Sequence, residues 1–350
     1  MMKAIHLVKY GEAKTAFKNS TVALPKLVDN DSVLIKVHGF GINFADVMAR
    51  KGLYNAAPNL PAILGYEVVG VVEKVNNQKN NHLIGKRVVA LTRFGGYAEY
   101  AISSTNGLTE INKDLPMGKA LALATQYCTA LLAMNKTGNL ENEYILIHSA
   151  SGGVGVALTQ LSKLKNCKII GLTRSPSKIP FLTKNGVDYP ILNVDNNYQK
   201  KLSELLNTQK ISAIFNSVGG STFKEDLKLL DSGGHLVFFG ISDRINSKKG
   251  FLNTLFQMIK IGKIHPAKLI LNSQSINGLN LLEIADKKPQ HIQKALKELI
   301  SLLDENKINP HATNEFGWNE IAEAHDGLEK SKFVGKAVSY THLRAHETHN

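Results

Sequence analysis

The sequence predicts an α/β protein: a doubly wound parallel sheet that follows a small β-rich domain. Three observations predict it. The first third of the chain is a series of short β-branched runs separated by glycine, asparagine and aspartate. Beyond about residue 140, short apolar runs alternate with helical stretches. At the first alternation stands a glycine-rich turn, "IHSASGGVGVALTQL", Ile147 to Leu161.

In the first third, strands are expected at "SVLIKVHGFGI" (Ser32–Ile42), "EVVGVVEKV" (Glu67–Val75) and "GKRVVAL" (Gly85–Leu91). That spacing suits a small barrel or sandwich. "KALALATQYCTALLAMNKTG" has helical content and ends in Gly138, a C-cap residue. Tyr144–Ala150 reads as a buried strand, followed by a helix to about Lys165. Lys168–Thr173 is the next strand, with a helix around Pro176–Asn185, and Ile211–Val218 and Gly234–Gly240 are two more strands. Pro289–Ile308 is amphipathic with Pro289 in its first turn, hence a helix. "NEIAEAHDGLEKSKFVGKAV" adds a short helix and a final strand. The apolar pattern stops at Val338. Ser339–Asn350, with His342, His346 and His349, reads as a disordered tail similar to translated adapter or vector sequence.

The bulk properties exclude several classes. A chain of 350 residues suits two domains. Hydrophobic content of 43% and charged content of 20% are those of a soluble globular chain. Two cysteines, Cys128 and Cys167, argue against a disulfide-stapled secreted protein. "MMKAIHLVKYGEAK" has no apolar h-region, and no apolar run is long enough to span a bilayer, so a cytoplasmic location is expected. The net charge of +13 is scattered, its densest clusters being pairs such as Lys200–Lys201, Lys248–Lys249 and Lys287–Lys288. Such a pattern is a solvated cationic surface rather than a nucleic-acid arm, and no DNA partner is expected.

The glycine turn follows an apolar strand and opens a helix, the context in which such a motif binds a dinucleotide. Ala150 stands where the first glycine is usual, a place that needs only a small side chain. Gly152 lets the backbone approach a pyrophosphate, and Gly155 lets helix and sheet pack closely. The surrounding Ser151, Gly153 and Val154 bring free N–H groups and the positive end of the helix to the phosphates. At the end of the second strand an Asp or Glu would bind the ribose 2′-hydroxyl of NAD. Here the sequence reads Thr173, Arg174, Ser175 and Lys178, with no acid, which favours the 2′-phosphate of NADP(H).

"GFGINFADVMARKGLY" (Gly39–Tyr54), "LGYEVVGVV" (Leu64–Val72), "GGYAEY" (Gly95–Tyr100) and the glycine turn occur in the order found in medium-chain dehydrogenases/reductases. They resemble the zinc-independent quinone oxidoreductase branch, to which zeta-crystallin belongs. "NFADVMARKGLY" and the long segment after "FFGISDR" look closest to the subgroup related to the vesicle amine transport protein. The resemblance runs from about residue 1 to 338. It implies a GroES-like β-barrel catalytic domain (1–120, completed by 286–338), a Rossmann NADP(H)-binding domain (121–285), an active site in the cleft, and a homodimer.

The resemblance also assigns residues. In zinc-dependent relatives the metal ligands fall at positions held here by Asn43 and Tyr66 and near Thr125, so no zinc is expected. Without a Lewis acid the expected reaction is hydride transfer from NADPH to a quinone or an α,β-unsaturated carbonyl, whose oxygen is hydrogen-bonded as charge builds on it. Asn43, Tyr54 and Tyr66 are the candidate donors. Asp46 is read as a helix cap, and His148 as a satisfied strand histidine. Thr129 is expected beside the nicotinamide ribose and Tyr189 at the adenosine end. Asn216 and the run Phe239, Gly240 and Ile241 end later strands at the edge where dinucleotides bind. Phe333, Gly335 and Lys336, in "FVGK", resemble the C-terminal segment that closes on the cofactor. Two alternatives remain: an enoyl-thioester reductase, and a dinucleotide-binding protein with an RNA- or membrane-associated role.

Overall fold

Runs of β-branched residues bounded by glycine and asparagine become the strands. In the computed structural model, residues 1–194, 197–243 and 266–341 are described. The segment after "FFGISD" and the histidines at 342, 346 and 349 lie outside them. The chain divides into two units, Met1–Cys128 with Leu281–Asn350, and Thr129–Asn280.

The first unit opens with β1 (Met2–Leu7), β2 (Phe17–Val22), β3 (Ser32–Ile42), β4 (Ala62–Ile63), β5 (Glu67–Val75), β6 (Arg87–Leu91), β7 (Tyr100–Ser104) and β8 (Leu108–Glu110). The second carries β9 (Tyr144–Ile147), β10 (Lys168–Thr173), β11 (Tyr189–Leu192), β12 (Ile211–Asn216), β13 (Leu230–Phe238) and β14 (Ser275–Gly278). The chain then returns to the first unit with β15 (Asn314–Phe316) and β16 (Ala337–Tyr340). In the first unit a small sheet runs β2-β1-β4, and a seven-stranded sheet runs β15-β16-β3-β5-β6-β8 with β7 also on β3. Val33, Ile35, Phe40, Val68, Val72 and Val88 fill the core of this unit.

The second unit is a parallel sheet in the order β11-β10-β9-β12-β13-β14. This is the doubly wound order, in which consecutive strands run outward from β9 on one side and from β12 on the other. A dinucleotide belongs at the carboxyl ends of the strands beside that switch. β9 ends at Ile147, earlier than the apolar run suggests. His148 still donates its N–H to Phe215 O at 3.0 Å, but Ser149 turns left-handed with φ 52° and starts the loop.

The end of the chain differs from the sequence reading. Ser339 and Tyr340 pair with Phe40 and Gly39 of β3, and Thr341 donates its hydroxyl to Val37 O at 2.8 Å. The strand therefore runs past Val338. Its pairing uses backbone groups, which a hydrophobicity pattern does not register.

Two buried groups give the first unit a pH signature. His325 is fully buried, its Nε2 beside the Tyr97 hydroxyl at 3.1 Å. Burial, aided by Arg50, pushes its pKa down to about 3. The unfolded chain takes up this proton near pH 6.5, so His325 costs stability as pH falls from about 6.5 toward 3. Asp46 acts oppositely: burial raises its carboxyl to about 7, so the folded state takes up its proton first and gains stability as pH falls from about 7 to 4. Between about pH 6 and 4, His325→Gln is expected to make stability rise on acidification. Asp46→Asn is expected to make it fall by roughly 1.4 kcal/mol per pH unit. Urea midpoints measured across that range check both slopes.

Candidate active site

The first unit gathers four chain segments around one carboxylate. Glu67 opens β5 and is fully buried. Asn43 precedes the helix Phe44–Arg50, and its Nδ2 donates to Glu67 Oε1 and Oε2 at 2.9 and 2.8 Å. Lys336, just before β16, pairs with Glu67 and donates from Nζ to Asn43 Oδ1 at 2.8 Å. Thr125, in the π-turn Leu123–Tyr127, donates its hydroxyl to the other Glu67 oxygen. Gly41 makes room for this cluster, because a Cβ there would overlap Glu67 Oε1 and stand 2.6 Å from Lys336 Nζ. Beside it Asp46 accepts from Asn43 N at 2.9 Å and Gly65 N at 3.0 Å. It thereby caps its helix and pins the turn before Tyr66.

Tyr66 and Tyr54 stand next in the same unit, their rings edge to face with centroids 6.2 Å apart. Tyr66 is buried, and its hydroxyl finds no hydrogen-bond partner among the described residues. Tyr54 is half-buried. Burial raises both phenol pKa values, so both are proton donors at neutral pH.

In the second unit the glycine loop lies between β9 and the helix Gly153–Lys163. Ala150 N bonds to Leu172 O at 2.9 Å and Gly152 N to Ser149 O at 2.8 Å, which fixes the turn. The first helical bond runs from Val156 N to Gly152 O, which leaves the N–H groups of Gly153, Val154 and Gly155 without a carbonyl one turn back. Thr173 is buried at the end of β10, and its hydroxyl accepts from Ser175 N at 3.3 Å. Arg174 is exposed, whereas Lys178 is buried, and burial and then Arg174 lower its pKa. Gly240 packs on the loop after β12, where a Cβ would stand 2.8 Å from Ser217 O. Phe239 N bonds to Asn216 O at 3.1 Å, and Ile241 is exposed. Thr129 is buried in the helix Cys128–Met134.

Several residues singled out by position lie elsewhere or are already engaged. Tyr189 begins β11 and stacks on Tyr144, the first residue of β9, at 5.9 Å. It lies in register with Ile170 of β10, three residues short of the carboxyl end of its own strand, with its ring turned toward the start of β9. Asn193, just after β11, is the residue at the carboxyl edge; it is buried, with Oδ1 unpartnered among the described residues. Asn216 is fully buried and its amide is consumed internally. Asn43 spends its donor on Glu67 rather than offering it outward. Phe333 packs on Phe316 and over Gly327, and Gly335 bridges to Ala312. Lys336 points into the cluster around Glu67, so this segment is part of the first unit's interior and not a phosphate contact.

Residues 29–113 match the alcohol dehydrogenase GroES-like domain and residues 153–301 the zinc-binding dehydrogenase domain. A quinone oxidoreductase of Sus scrofa is 28% identical over 341 residues, 97% of each chain. The synaptic vesicle membrane protein VAT-1 homolog of Danio rerio is 27% identical, over 97% of this chain and 70% of its own length. The Escherichia coli quinone oxidoreductase complexed with NADPH has the same fold, with a TM-score of 0.83 at 23% identity over 97% of this chain and 99% of that one. The zinc in the second domain's name does not fit the residues here. Asn43, Tyr66 and Thr125 offer neither thiolate nor imidazole. The adjacent Glu67 is committed to Lys336, and among the described residues no three His, Cys, Asp or Glu side chains are grouped to hold a metal. With both domains matched in order, the chain belongs to the medium-chain dehydrogenase/reductase family of oxidoreductases.

Proposed function

We propose that this protein is an NADPH-dependent reductase that passes hydride to a quinone or an α,β-unsaturated carbonyl without a metal. One observation carries the reading. The strand after the glycine loop ends at Thr173 and is followed by Arg174, Ser175 and the buried Lys178, with no acid. Burial and then the charge of Arg174 lower the proton affinity of Lys178, and a phosphate between the two cations would relieve that repulsion. The NADPH complex of the E. coli relative and the quinone oxidoreductase names of the curated relatives support the same cofactor and acceptor class. NADPH supplies the hydride when bound. Tyr54 and Tyr66 donate hydrogen bonds to the acceptor oxygen as it gains charge, their raised pKa values keeping the protons in place. Asn43 and Asp46 hold the helix and turn that carry them.

The test is NADPH oxidation against an ortho-quinone, an alkenal and an enoyl thioester, with NADH in parallel and a chelator present. Quinone or alkenal turnover that prefers NADPH and ignores the chelator is expected, whereas turnover of the enoyl thioester alone would favour the alternative acceptor. Arg174→Ala with Lys178→Ala is expected to raise KM for NADPH about tenfold or more and leave that for NADH nearly unchanged. An unaltered preference would remove the 2′-phosphate assignment. The resemblance supports a homodimer, which light scattering checks. Among the described residues no helix is long and apolar enough to cross a membrane. The net charge of +13 makes RNA binding at low salt the control for a non-catalytic role.

A further inference from the structure

The second unit contains a buried polar cluster that neither the reaction nor the family match uses. Asp226, on the helix Phe223–Leu229, is fully buried. Its Oδ1 accepts from His148 Nε2 at 3.0 Å and from the Tyr198 hydroxyl at 2.7 Å. Its Oδ2 accepts from Asn216 Nδ2 at 2.5 Å. Asn216 also donates to Thr222 Oγ1 at 2.7 Å, and its Oδ1 accepts from Val218 N and Gly219 N at 2.7 and 2.9 Å. His148 packs edge to face on Tyr198 with centroids 5.4 Å apart.

His148 is the last residue before the glycine loop turns at Ser149. Asn216 ends β12 and shapes the loop through Gly219. β9 and β12 are neighbours at the centre of the sheet, where its strand order reverses. One carboxylate therefore fixes both loops that flank the switch point. We infer that Asp226 is a positioning residue for dinucleotide binding, acting through His148 on the phosphate-binding loop and through Asn216 on the loop facing it. The inference rests on the proposed binding of NADPH at the glycine loop.

The chemistry makes this specific to the acceptor count. A carboxylate serves donors on both sides. An amide at 226 has one acceptor oxygen and places N–H groups against either Asn216 or His148 and Tyr198, so one loop loses its anchor. Tyr198 binds the same carboxylate but belongs to the helix Tyr198–Leu206, which is part of neither loop, and phenylalanine there keeps the ring that packs on His148. Its loss disturbs the cluster without releasing a loop.

The experiment is NADPH titration by fluorescence together with steady-state kinetics on the full chain. Asp226→Asn is expected to raise Kd and KM for NADPH about tenfold or more, with kcat at saturating NADPH changed by less than about twofold. Tyr198→Phe is expected to lower Tm yet leave Kd within about twofold. The double change Asn216→Asp with Asp226→Asn reverses that donor–acceptor pair, with the Thr222 hydroxyl turning from Gly219 O to the new carboxylate, so it is expected to restore most of the affinity. Should Asp226→Asn not fold, His148→Leu replaces it, with about fivefold weaker binding expected against the Tyr198→Phe control. Unchanged Kd in the Asp226 or His148 variant, or an equal rise in Tyr198→Phe, overturns the inference alone. Absence of NADPH binding by the unmodified protein overturns the proposed function, and this inference with it.

Discussion

Gly155→Ala is expected to weaken NADPH binding by about a hundredfold, because the phosphate loop has to move by roughly an ångström to admit one methyl group. A Cβ at 155 would lie 2.5 Å from Ser149 O and 2.6 Å from Ala150 Cα. Both are backbone atoms, and Ala150 is itself held by its bond to Leu172 O. Neither side can yield as a flexible side chain would. Helix propensity works the other way, since alanine in place of glycine inside a helix gains about 0.5–1 kcal/mol. A drop in Tm therefore reports the clash and not the helix. Gly152 provides the contrast: a Cβ there meets only Ser149 O, at 3.3 Å. Gly152→Ala is expected to cost about threefold or less in affinity, a shift of a few tenths of an ångström being enough to admit it. Gly152→Asp is expected to cost as much as Gly155→Ala, but by placing a negative charge where the phosphates bind. Only that loss shrinks as salt rises. NADPH titration at two ionic strengths separates the two mechanisms, and unaltered affinity in Gly155→Ala would sink the loop assignment.

These glycines were legible because their context is local: a strand, a turn and a helix within fifteen residues. The same holds for β3, β5 and β10, whose ends coincide with the β-branched runs at Ser32–Ile42, Glu67–Val75 and Lys168–Thr173. What depends on long-range pairing was not legible. Lys336 reaches Asn43, 293 residues away, because antiparallel register sets Ala337 opposite Ile42. No pattern within "FVGK" signals that. Tyr189, expected at the adenosine end from the resemblance alone, opens β11 and turns its ring onto Tyr144, a contact between strands that no local pattern marks. Asn216 and Asn43 lie on the right elements, but whether an amide faces a ligand or a buried carboxylate depends on partners that a single sequence does not name. Asp226 gave no signal, since an acid in the first turn of a short helix reads as an ordinary surface charge that favours the helix dipole.

Lys336→Met is expected to destabilise the first unit by about 3–5 kcal/mol, the cost of leaving a buried charge without its partner. Glu67 and Lys336 are both fully buried, so water cannot replace the ammonium. Asn43 Nδ2 and the Thr125 hydroxyl remain as neutral donors to Glu67. They offset part of the loss but bring no opposite charge. Asp46 is affected as well, because the Lys336 charge is among the groups that lower its pKa; without it, protonation moves above about 7. Adding Glu67→Gln removes the stranded charge, and the double variant is expected to recover most of the stability, as neutral replacements of buried ion pairs commonly do. Trp318 is the one tryptophan of the chain. It lies in the first unit with its ring edge to face on Phe40 at 6.0 Å. Its fluorescence in urea therefore reads this unit without interference from the other. A Lys336→Met variant as stable as the parent would mean that Glu67 does not need the ammonium. Recovery in the double variant would instead show that Lys336 balances the charge of Glu67. If that double variant keeps the fold but loses turnover, the same ammonium also sets the orientation of Asn43, since Lys336 Nζ donates to its amide oxygen, and with it the start of the helix that Asp46 caps before Tyr54.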